Sequence, residues 1–133
     1  MNRITLTLTL LTLGQYAQAH CGDDSGYKLH RLAAEDLQIC WRTEPAVINV
    51  GEHFRVIVLV SKNHTPWSGA LRVDAFMPIH KHGMNYLPVV TNTAKGHYVA
   101  DGLMFHMPGE WRLDFKLEDE QERVELSSLL DVE

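Results

Sequence analysis

From about residue 38 onward, apolar residues recur at every second position. Phe54, Val56, Val58 and Val60 alternate with His53, Arg55, Ile57 and Leu59, so both faces of this stretch are largely apolar. That pattern marks a central strand. Leu71, Val73 and Ala75 alternate with Arg72, Asp74 and Phe76, and Trp111, Leu113, Phe115 and Leu117 alternate with Arg112, Asp114 and Lys116. A period of two with one polar face predicts half-buried strands. Turn-forming stretches separate the runs: Val50-Gly51-Glu52, Asn63 to Gly69, Pro78 to Pro88, Lys95-Gly96, Pro108-Gly109 and Glu118 to Glu122. The pattern predicts seven strands, near 38–43, 47–60 with a break at Gly51, 70–77, 88–92, 97–106, 110–118 and 123–130. Only Leu29 to Leu37 departs from it, where Leu29, Leu32, Ala33 and Asp36 suit one short helical turn. Short strands at this spacing predict an all-β fold, an antiparallel β-sandwich. The acidic run Glu118 to Glu122 reads as a solvated hairpin turn rather than a cation loop, since it has no Gly and no ligand spacing.

The N-terminus follows a different rule. Asn2-Arg3 precedes an apolar run from Ile4 to Leu13, and Ala17-Gln18-Ala19 offers small residues for cleavage. This is the order of an export signal, and the run is too short for a hydrocarbon core of about 30 Å. The expected organisation is a signal peptide at 1–19, an arm at 20–37 and a sandwich domain at 38–133. Export to the periplasm permits a disulfide, and Cys21 and Cys40, the two cysteines of the chain, are expected to pair. Such a loop closure contributes about 3 kcal/mol by chain entropy and would fasten the arm to the first strand. The formal charge of −5 and the lack of a basic run exclude nucleic acid as an expected partner.

Candidate chemistry is concentrated in two segments. Met77-Pro-Ile-His80-Lys-His82-Gly-Met84 and Met104-Phe-His106-Met107-Pro-Gly109 hold four of the five Met and three of the eight His. Imidazole with thioether suits copper, above all Cu(I), and zinc is the rival metal, favoured by the imidazoles but not by the thioethers. In an extended chain His80, His82 and Met84 point one way about 7 Å apart, so they need a bend to share an ion. Pro78 and Gly83 are expected to supply it, while Pro108-Gly109 fits a tight hairpin beside His106. The first segment follows the third predicted strand and the second ends the fifth, so both should lie at one pole. The expected ligands are His82, His106 and Met84, then His80; Met77, Met104 and Met107 can also serve as packing. His30, His53, His64 and His97 lack ligand-spaced neighbours and read as surface or structural residues.

Three stretches together resemble a known family. They are Ile48-Asn-Val-Gly51-Glu-His-Phe54-Arg-Val-Ile-Val, Ala75-Phe-Met77-Pro78 with His82-Gly83-Met84, and Gly102-Leu-Met-Phe-His-Met107-Pro-Gly109-Glu-Trp111-Arg-Leu. Across roughly residues 38–118 the chain resembles YtkA-like domain proteins. The resemblance implies a small exported immunoglobulin-like sandwich, in a family associated with copper handling or respiratory oxidase assembly. Its motif touches Met77, His82, Met84 and the Met107-Pro-Gly-x-Trp111 segment without naming a metal. The chain is also weakly similar to copper-resistance sandwiches and lytic monooxygenases, whose N-terminal His braces copper; cleavage after Ala19 would expose His20 in that role.

The leading expectation is a periplasmic Cu(I) carrier or chaperone, not an enzyme, that exchanges its ion with a periplasmic or membrane-bound cuproprotein. The alternatives are a metal-free interaction module of an envelope or respiratory assembly, and a copper oxidase built on His20. The sequence has no G-x-S-x-G elbow, Gly-rich phosphate loop or CxxC pair to support hydrolase, nucleotide or thiol-redox chemistry.

Overall fold

A computed structural model describes residues 30–133. The expected export signal, His20 and Cys21 lie outside the described residues. Cys40 is buried in the second strand, and its expected partner is therefore not among them.

Two antiparallel sheets pack face to face, as the alternation predicts. The strands are β1 His30–Ala34, β2 Leu37–Glu44, β3 His53–Lys62, β4 Thr65–Pro66, β5 Ala70–Met77, β6 His82–Gly83, β7 Val89–Ala94, β8 His97–Met104, β9 Gly109–Glu118 and β10 Arg123–Val132. The first sheet runs β1-β2-β3-β8-β7, with β4 paired to β3; the second runs β10-β9-β5-β6. Inward-facing residues of both sheets meet in one core that includes Trp41, Val56, Val58, Phe105, Trp111 and Phe115. Trp41 lies against Phe115 across the interior, and Phe105 stacks on Trp111 at 4.5 Å with planes 11° apart. Aromatic contacts of this kind add to the area they bury.

The expected strands at 70–77, 97–106, 110–118 and 123–130 are present with shifts of no more than two residues at each end. Three differences have physical causes. Within the stretch Leu29 to Leu37, where a short helical turn is expected, residues 30–37 instead belong to the β1–β2 hairpin, with Ala34 opposite Leu37. Glu35 takes a φ of 52°, and the partial burial alternates with a period of two, not 3.6. The first sheet thus includes His30–Ala34, inside the segment expected to be an arm. Residues 47–52 do not extend β3; Gly51 has a φ of 80° and its amide bonds to the Phe105 carbonyl, which ends the strand at His53. Finally, β6 is a two-residue strand too short to leave a periodic signal.

The acidic run closes the β9–β10 hairpin, as expected. Asp119 accepts bonds from the Gln121 and Glu122 amides, and Lys62 pairs with Glu122.

Candidate functional site

The chain leaving β5 turns back at once. Lys81, with a φ of 56°, donates its amide to the Met77 carbonyl, and His82 then pairs with Met77 in register. The bend is therefore made by Pro78 to Lys81. Gly83, expected to supply it, sits in β6, where its lack of a side chain allows close approach to the Ala75 carbonyl. This hairpin holds His82 half-buried at the edge of the second sheet.

Residues 105–108 do not form the tight hairpin expected around Pro108-Gly109. β8 belongs to the first sheet and β9 to the second, so the segment is an arch between sheets. β9 finds its partners in β5 and β10, which leaves β8 to pair with β3 and β7. The arch carries His106 across the end of the sandwich towards β6. Gly109 begins β9 with a φ of 117°, and a Cβ there would stand 2.9 Å from Met77 Cε, so the backbone favours Gly and a side chain would have to push the Met77 methyl aside.

The two His/Met segments therefore share a pole. The His82 and His106 rings lie 4.9 Å apart by their centroids, and both make edge contacts with the Trp111 indole, at 5.7 and 5.4 Å. Two imidazoles sharing one tetrahedral ion, with metal–nitrogen bonds near 2.0 Å, would have centroids about 5 Å apart. His82 Nδ1 lies 3.1 Å from the Gly83 carbonyl. A carbonyl only accepts, so this contact places the proton on Nδ1 and leaves Nε2 as the ring's ligand atom. His106 Nδ1 is buried and has no hydrogen-bond partner among the described residues. Burying an unpartnered polar group costs about 1–3 kcal/mol, so this nitrogen is suited to an incoming ion.

The other expected ligands divide. The exposed His80 ring is 5.9 Å from that of His82, at the rim of the pair. Met84 is half-buried beside β6, with its amide 3.3 Å from the Ala75 carbonyl, and packs against the core. Met77 is 2% exposed and belongs to the core itself. Met107 also packs against the core, and its carbonyl accepts the Trp111 Nε1 proton at 3.0 Å. Among the described residues, no three His, Cys, Asp or Glu side chains are grouped to hold a metal. His80, His82 and His106 thus do not form a three-nitrogen centre of the kind structural or catalytic zinc needs. The His82 and His106 imidazoles remain, a donor pair that fits a soft ion of low coordination number. The alternation within β9 marks Trp111 as core and the resemblance places it in a motif, but neither reveals it as the wall of the histidine pair.

No family model matches the sequence, and no curated protein matches it. The fold is similar to that of a DUF4426 family protein from Pseudomonas aeruginosa, with a TM-score of 0.58 at 12% identity, covering 78% of this chain and 94% of that one. It is also similar to a DUF4785 family protein from Legionella pneumophila, with a TM-score of 0.54 at 11% identity. That match covers 74% of this chain and 28% of the Legionella protein, so the sandwich corresponds to part of a longer molecule. At identities this low, the structural likeness shows the β-sandwich fold alone.

Proposed function

We propose that this chain is an exported copper-binding protein that carries Cu(I) in the periplasm. The observation that supports this reading most is the pairing of His82 with His106, whose buried Nδ1 has no partner among the described residues. The ion would be held by His82 and His106, with Met84, two residues beyond His82, as the candidate thioether and His80 at the rim. Met77 and Met107 serve as packing in this arrangement. The resemblance to YtkA-like proteins supports the same reading, and a membrane-bound or periplasmic cuproprotein is the partner class it suggests. A site at the end of a sandwich leaves room for such a partner to approach.

The test is a Cu(I) titration under reducing conditions against a competing chelator. Wild-type protein should bind one equivalent at the pole. His82→Ala and His106→Ala should each weaken it at least tenfold, about 1.4 kcal/mol, and Met84→Ala should also weaken it. Unchanged affinity in all three variants would reject the reading. Binding should weaken in acid, where protons compete for the ring nitrogens.

A second reading draws on a different observation. Ile79, Leu87 and Val89 flank the histidines and are 72%, 87% and 68% exposed. Exposed apolar residues along the histidine-bearing loop suit a metal-free interaction module. A folded protein that binds no transition metal would favour this reading.

A further inference from the structure

Of the four methionines in the two segments, Met77 lies in the core, and Met84 and Met107 pack against it. Met104 is different. It stands opposite His53 in the β3–β8 register, one position from the pair Phe54 and Leu103. Phe54 and Leu103 are buried, at 4% and 0% exposure. Successive side chains in a strand point to opposite faces, so His53 and Met104 share the outer face of the first sheet. Directly opposed residues have Cβ atoms about 4.5–5.5 Å apart, within reach of a common ion for an imidazole and a thioether. His53 is exposed and Met104 half-buried, so the face they share is open to solvent. The His53 ring is held by an edge contact with Tyr86, 5.6 Å between centroids. Tyr86 lies two residues beyond Met84, so the loop that carries the first site also supports this pair. Met104 is in turn two residues from His106, about 7 Å along an extended chain.

We propose that His53 and Met104 form a second, outer site for a soft monovalent metal ion, placed to hand the ion to His106 and His82. The site deepens the copper-carrier reading and rests on it. An ion arriving from solvent meets the outer imidazole and thioether first. It reaches the inner pair by exchanging ligands along residues 104–106, with no change of oxidation state and no bond broken other than metal–ligand bonds.

The test uses Ag(I), a soft ion that does not change redox state, with protein labelled at the methionine methyl groups and histidine rings for NMR. The first equivalent should shift His82 and His106. The second should shift the Met104 methyl and the His53 ring. His53→Ala and Met104→Leu should each reduce the stoichiometry from two equivalents to one, with the fold checked by circular dichroism. Saturation at one equivalent with Met104 and His53 unmoved, while His82 and His106 shift, would overturn the outer site and leave the carrier reading intact. No shift at any of the four residues would overturn both.

Discussion

Tyr98→Phe isolates a single bond between the two sheets. Tyr98 sits in β8 between Val58 of β3 and Asn92 of β7, with its ring 2% exposed. Its hydroxyl donates to the Gly69 carbonyl at 2.6 Å. Gly69 immediately precedes β5, so the bond ties the first sheet to the start of the second. The acceptor is well fixed: a Cβ at Gly69 would lie 2.4 Å from the Trp67 ring and 2.7 Å from the Glu118 carbonyl oxygen. Removing the hydroxyl deletes a net contribution of about 0.5–1.5 kcal/mol and leaves the carbonyl short of a partner, so the expected loss is about 1–2 kcal/mol. For a domain of this size, that lowers Tm by about 5–12 °C.

The same bond has a pH signature. Burial holds the Tyr98 phenol above its ordinary value of 10.0, and a hydrogen bond involving Asn92 partly offsets it. The group's contribution is whole below the unfolded-state value. It is lost as pH rises from there through the higher folded-state value, because the unfolded phenol ionises first. Urea unfolding followed by circular dichroism, with both proteins measured from pH 8 to 11.5, should show a stability gap that narrows above about pH 10. Taking the difference between the proteins cancels Lys62, whose ammonium is also held above its ordinary value by Glu122. A gap that stays constant over that range, or one smaller than about 0.3 kcal/mol at pH 8, would refute the assigned bond.

Other predictions test separate parts of the molecule. Gly109→Ala should destabilise by about 1–3 kcal/mol through its strained backbone and the contact with Met77 Cε, and adding Met77→Ala should remove the clash but not the strain; a double-mutant cycle in urea measures the coupling. Asp114, 6% exposed, accepts bonds from Arg112 Nε and Nη2 and from Ser127 Oγ, so Asp114→Ala should cost about 2–4 kcal/mol, read from the urea midpoint. The Gln121 and Glu122 amides hold the Asp119 carboxyl below its ordinary range, so its contribution is present above that range and lost as pH falls through the folded-state value. Asp119→Asn should therefore show a flatter acid limb of stability than wild type, and an unchanged limb would count against the turn's role.

The sequence determined the sheet content because a strand's inner face must be apolar wherever it meets a core. Trp111, Leu113, Phe115 and Leu117 therefore announced β9, and Leu71, Val73 and Ala75 announced β5. It also marked the His/Met chemistry, since imidazole and thioether donors cluster in only two segments. What it could not carry was pairing. A period of two says which residues share a face, but not which strand lies alongside. The two-residue β6 and the β1 hairpin left too little alternation to read. Tertiary structure alone decided that β9 pairs with β5 rather than β8, and so that residues 105–108 arch between sheets instead of forming a hairpin. That arch brings His106 to His82 and confines Met77 to packing. Register alone set His53 opposite Met104, residues 51 positions apart in the chain. Hydrogen bonds between strands are made by backbone groups common to every residue, so they fix partners that side-chain patterns leave open.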